Sequence, residues 1–229
     1  AASLLQSPDN VSRMYQHLPS ILSHQYIIVA LIIACVITGF LGLVNGFIIA
    51  KLKVTPFITT LGTMIIIYGM SSMYVDREPM GAQPIGGLAA HYTEFAQGGF
   101  RVGGLMVPYL VIYATIATIL MWILWNKTRF GKNLFAVGGN PEAAAVSGVN
   151  ITKTLLIVYT LAGALYGFAG TLEAARVGSA TNNTGNMYEL DAIAACVVGG
   201  VSFSGGVGKI SGVVIGVLMF QVISYGLNF

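Results

Sequence analysis

The sequence is short of charge: of its 229 residues only 8% are Asp, Glu, Lys or Arg, where soluble domains carry about 25%. Eight acidic and 11 basic side chains cannot build the polar shell that a water-soluble domain of this length needs. The net charge of +3 is too small for Coulomb steering of nucleic acid. Cysteine is nearly absent. Cys35 and Cys196 stand in apolar runs, which excludes a disulfide framework or a zinc spacing and reads as small buried hydrophobes. The three histidines, His17, His24 and His91, show no metal-ligand spacing. Catalytic signatures are missing as well: there is no G-x-S-x-G elbow and no H-E-x-x-H pair. Gly208-Lys209 fails as a phosphate loop, because Phe203 stands where glycine belongs and Ile210 where Ser or Thr does.

What is present is apolar: 55% of the residues are hydrophobic, and 29 are glycine. Uncharged runs cover 26–50, 54–75, 102–126, 154–172, 192–208 and 210–229. Each is near or above the roughly 17 to 25 residues that a helix needs to cross the hydrocarbon core. None alternates with the period of two that marks barrel strands, so the expected fold is all-α and integral to the membrane. The expected architecture is a single polytopic helical bundle of about six transmembrane helices over 1–229. The run 192–208 is the weakest, since it dissolves into Gly199, Gly200, Gly205, Gly206 and Gly208. It reads as a short crossing helix, with a broken or re-entrant second half as the alternative. The first five residues carry no signal-peptide pattern, and the chain reads as an interior piece of a longer membrane protein.

Basic residues set the expected orientation. With Lys51 and Lys53 inside, alternation also puts Lys127, Arg129, Lys132, Lys153 and Lys209 there, leaving Arg13, Arg77, Arg101 and Arg176 outside. The loop 126–153 is then cytoplasmic, the loop 76–101 external, and Trp122 and Trp125 mark the cytoplasmic interface. Glycines at GxxxG spacing, Gly42 and Gly46, Gly163 and Gly167, and Gly208, Gly212 and Gly216, predict close helix packing within one subunit rather than a dimer seam. No run has an ionisable residue at its centre, which speaks against a proton or ion relay. Glu173 and Arg176 read as an ion pair at a helix end, and Glu189 and Asp191 as boundary charges.

The loop 126–153 contains Gly-Gly-Asn140-Pro-Glu-Ala-Ala-Ala-Val-Ser-Gly148-Val. Asn140 suits an N-cap, Pro141 the first helical position, Glu142 the positive end of the helix, and Gly148 a left-handed C-terminal residue. A helix of about two turns follows, too short to stand alone in water. Ala143, Ala144 and Ala145 give it a smooth face able to enter a groove.

Asn140-Pro-Glu-Ala-Ala followed by Ser147-Gly148-Val149 resembles the cytoplasmic coupling loop of the sugar permeases of bacterial ABC importers, the ribose, xylose, arabinose and galactose type. Gly42-Leu-Val-Asn-Gly46, Thr55-Pro-Phe-Ile-Thr-Thr-Leu-Gly62-Thr-Met and Tyr188-Glu-Leu-Asp191-Ala-Ile-Ala-Ala-Cys-Val-Val-Gly-Gly200 match the same family. The runs Trp125 to Lys132 and Gly178 to Asn183 are similar to its galactose/methyl-galactoside branch. Against full-length members the sequence lacks N-terminal helices and a final helix.

The resemblance implies a non-enzymatic transport subunit of the inner membrane, working as a homodimer. It binds no cofactor; ATP and Mg belong to a partner ATPase, and a periplasmic sugar-binding protein docks outside. The ATPase-coupling residues would be Asn140, Pro141, Glu142, Ala143, Ala144, Ser147 and Gly148. A neutral sugar needs hydroxyl-bonding and aromatic side chains, and Asn45, Thr59, Thr60, Thr63, Tyr68, Tyr159 and Tyr166 are candidates for its path. Arg77, Glu78, Arg101 and Arg176 are candidates for meeting the binding protein. An ion-coupled secondary sugar carrier or a passive channel is the competing class.

Overall fold

A computed structural model describes residues 27–76 and 83–227. Its long helices are α1 (Ile27–Leu52), α2 (Pro56–Val75), α4 (Tyr109–Lys127), α7 (Ile151–Val177) and α9 (Ile210–Leu227). Among the described residues these five are the helices long and apolar enough to cross a membrane. Their apolar residues are exposed on every side, with Ile28, Phe40, Ile66 and Leu120 at or above 60%, the mark of helices that face lipid or other protein. The shorter elements are α3 (Ala90–Gln97), β1 (Gly99–Val102), β2 (Leu105–Pro108), α5 (Arg129–Gly139), α6 (Pro141–Val146) and α8 (Tyr188–Val198).

Two expected runs are modified. The run 102–126 becomes helical only at Tyr109, because Gly103 and Gly104, at φ 57° and 92°, close an antiparallel hairpin in which Gly99 pairs with Pro108. The run 192–208 is helical only to Val198; Gly200, Gly205 and Gly206 then take positive φ. Its eleven-residue helix is about 16 Å long, short of the hydrocarbon thickness. The unwound alternative for its second half is the one the chain adopts.

The chain divides into two compact units, one of Ala1–Tyr113 and Leu155–Thr184, the other of Ala114–Thr154 and Gly185–Phe229. In the first, α1 packs on α7 through glycines. A β-carbon on Gly42 would overlap the Tyr159 carbonyl, and one on Gly163 or Gly167 would overlap Thr38. These GxxxG pairs therefore serve packing inside the subunit. The C-terminal end of α7 is tied down by α3: Tyr92, fully buried, donates its hydroxyl to the Thr171 carbonyl (2.5 Å), and Gln97 donates to the Arg176 carbonyl (3.0 Å). Burial raises the Tyr92 phenol far above its ordinary pKa, so it stays a neutral donor. Ile85 and Ala180 exchange backbone hydrogen bonds, and Asn182 donates to Ser72 on α2 (2.9 Å).

In the second unit α8 and α9 run antiparallel and nearly in backbone contact. Glycines make this approach possible: a β-carbon on Gly199 would lie 2.5 Å from the Gly212 carbonyl, and one on Gly216 would overlap that of Ala195. Gly138 at the end of α5 presses likewise on Gly205 and Gly206.

Candidate functional site

The loop 126–153 is a relay of capped helices. The Thr128 hydroxyl accepts from the Gly131 N–H (3.3 Å) at the start of α5. Asn140 ends α5 and begins α6: its backbone N–H donates to Ala136, while its side-chain oxygen accepts from the Ala143 N–H (3.0 Å). Pro141 takes the first helical position and Glu142 the first turn. The far end closes on Gly148 at φ 81°, with its N–H bonded to the Ala145 carbonyl and that of Val149 to Ala144. The Ser147 hydroxyl adds a bond to the Ala143 carbonyl (2.9 Å). Two residues on, Asn150 caps α7 by accepting from the Lys153 N–H (2.9 Å). This second cap escaped the sequence reading, although Asn before a long apolar run is its signal.

The surface of α6 differs from the smooth alanine face expected. Ala144 is buried and anchors the helix; Ala143 and Ala145 are exposed, and Val146 is 91% exposed. An apolar side chain this open on a six-residue helix has nothing to pack against among the described residues.

The residues expected along a sugar path are only partly brought together. The Thr63 hydroxyl lies 2.5 Å from Asn45 Oδ1 and 2.9 Å from the Thr59 carbonyl, joining α1 to α2. Thr59, largely buried, donates to Thr55, and Thr60 donates to Pro56 and Phe57, so these hydroxyls are spent on their own helix. Tyr159 is half-buried with its β-carbon under Gly46, whereas Tyr68 and Tyr166 are exposed. Of the docking candidates, Arg77 and Glu78 lie outside the described residues. Arg101 is exposed on β1, and Arg176 makes a bidentate pair with Glu173 at 2.7 and 2.8 Å.

Glu189 and Asp191 stand in the first turn of α8, beside α9. Gly199 faces Gly212 and Ala195 faces Gly216, which fixes the register of α8 against α9. By helix rise, Asp191 stands about 15 Å from the start of α9, near the middle of that roughly 27 Å span. Both carboxylates are exposed in the first turn of α8, and among the described residues the one ion pair is Arg176–Glu173.

The family model described as branched-chain amino acid transport system / permease component matches residues 7–229. The galactose/methyl galactoside import permease protein of Haemophilus influenzae is 56% identical over 229 residues, 100% of this chain and 66% of its own length. That of Escherichia coli K12 is 57% identical over the same shares. The ribose import permease protein of Bacillus subtilis is 42% identical over 186 residues, 80% of this chain and 55% of its own. The chain thus spans 66% of the length of its galactoside-permease relatives. No solved structure matches.

Proposed function

The chain belongs to this family of transport-system permease components, and from that premise we propose that it is the membrane-spanning subunit of an ATP-driven importer. Its solute is a monosaccharide, galactose or a methyl galactoside, carried across the bacterial inner membrane. A cytoplasmic ATPase, a periplasmic sugar-binding protein and a second copy of the permease complete the machine.

The observation that carries this reading is α6. A helix of six residues is unstable alone, yet this one is locked at Asn140 and Gly148 and offers Val146 to the solvent. Such a knob passes force without deforming. ATP-driven closure of the ATPase pushes it, α5 and α7 follow through the caps at Asn140 and Asn150, and the spans tilt. The exposed carboxylates of Glu189 and Asp191 offer acceptors to the hydroxyls of a neutral sugar.

The test is purification of the full-length permease with its candidate ATPase, followed by uptake of labelled galactose into vesicles with the binding protein outside. Co-elution and uptake that needs internal ATP are expected. A permease that elutes alone and takes up sugar without ATP would sink the reading.

A further inference from the structure

In the second unit, the last turn of α4, the helix α5 and the loop between α8 and α9 enclose a cavity of about 300 Å³. Trp125, Phe135, Ile210 and Val213 supply its apolar wall, and Ser202 and Lys209 stand at its polar edge. Lys209 is the one ionisable residue lining it among the described residues. The neighbouring sequence deepens the positive field: Lys127, Arg129 and Lys132 follow in the same loop, where Glu142 is the sole acid between 126 and 153. Lys127 lies over the Trp122 ring at 5.5 Å, and Trp125 packs edge-on to Phe130 at 6.4 Å, so aromatic and basic groups meet where two spans end. A soluble sugar would leave most of this wall unused, and a free phosphate would use none of it. A phospholipid satisfies both halves, because its phosphate needs the cation and its chain the apolar wall.

We propose that this cavity binds an anionic phospholipid, with the headgroup phosphate on Lys209 and Ser202 and the upper acyl chain along Trp125, Ile210 and Val213. The proposal rests on the membrane orientation given above, which makes this the cytoplasmic leaflet. Its consequence is mechanical. Gly138 of α5 bears on Gly205 and Gly206 beside the cavity, so a lipid seated there braces the helix that leads into α6.

The full-length protein in nanodiscs of phosphatidylcholine provides the test, with brominated phosphatidylglycerol or brominated phosphatidylcholine added at equal mole fraction. The signal is the part of the tryptophan emission that a Trp125→Phe change removes. Brominated phosphatidylglycerol should occupy the site about fivefold more readily, the preference expected of one lysine at an anionic headgroup. Lys209→Gln should abolish the preference, and Lys209→Arg should keep it. Equal quenching by both lipids, or a preference untouched by Lys209→Gln, overturns the proposal. So does relief of quenching by excess inorganic phosphate, which would mark a plain anion site. Transport is not read, so the outcome is independent of the importer assignment.

Discussion

Gly42 has no room for a side chain, because a β-carbon would run into the Tyr159 carbonyl across the α1–α7 contact, whereas Gly62 on α2 has nothing within 4 Å. Gly42→Val should therefore cost about 1 to 3 kcal/mol through overpacking, seen as a lower unfolding temperature in detergent, and Gly62→Val should leave that temperature unchanged. At Gly148 the penalty is conformational instead. Its φ of 81° is one that a β-branched residue avoids, at a cost of about 1 to 2 kcal/mol, while Asn tolerates it. Gly148→Val should impair uptake with normal membrane insertion, and Gly148→Asn should restore most of it. Unaltered uptake in the valine variant would show that α6 does not transmit force. These two glycines differ in how they can be found. Gly148 follows a local pattern from Asn140 onward, legible in the sequence; that Gly42 rather than Gly62 is indispensable depends on which helix lies across from it.

The capped helix α6 forms where local signals place it, since caps, proline and glycine act within a few residues of one another. Elements that answer to distant neighbours are harder to read. Gly103-Gly104 turns what looks like the start of a span into a hairpin, and the pairing of Gly99 with Pro108 holds it there. The helix α8 stops at Val198 because the next residues pack against Gly138 and α9 instead of continuing. Solvent access to its first turn, where Glu189 and Asp191 stand exposed, can be measured. In the assembled transporter, with Cys35 and Cys196 replaced by alanine, an Asp191→Cys variant should react with a charged, membrane-impermeant thiol reagent in inside-out or right-side-out vesicles. A Leu120→Cys variant on α4, a helix with no buried residue, should stay inert over the same period. Equal inertness at both positions would place the first turn of α8 against lipid or protein and remove it from the path.

For the molecule as a whole, the decisive surface is the one that leaves Val146 in water. A valine so exposed beside the anchored Ala144 is apolar surface that gains by being covered. Val146→Asp should weaken co-elution with the ATPase at least about tenfold, near 1.4 kcal/mol, without altering insertion. Retention of full ATPase binding would move the contact elsewhere on the loop. By itself the sequence determined the class: too few charges for water, apolar runs of spanning length, a short capped helix and a family pattern over nearly the whole chain. Those properties are composition and short-range order, which one chain carries along its length. Tertiary structure alone decided which glycines are contact points, that Asn182 reaches Ser72, and that Tyr92 locks the C-terminal end of α7. Each of these is fixed by a neighbour far away in sequence, through contact and register that no local pattern records.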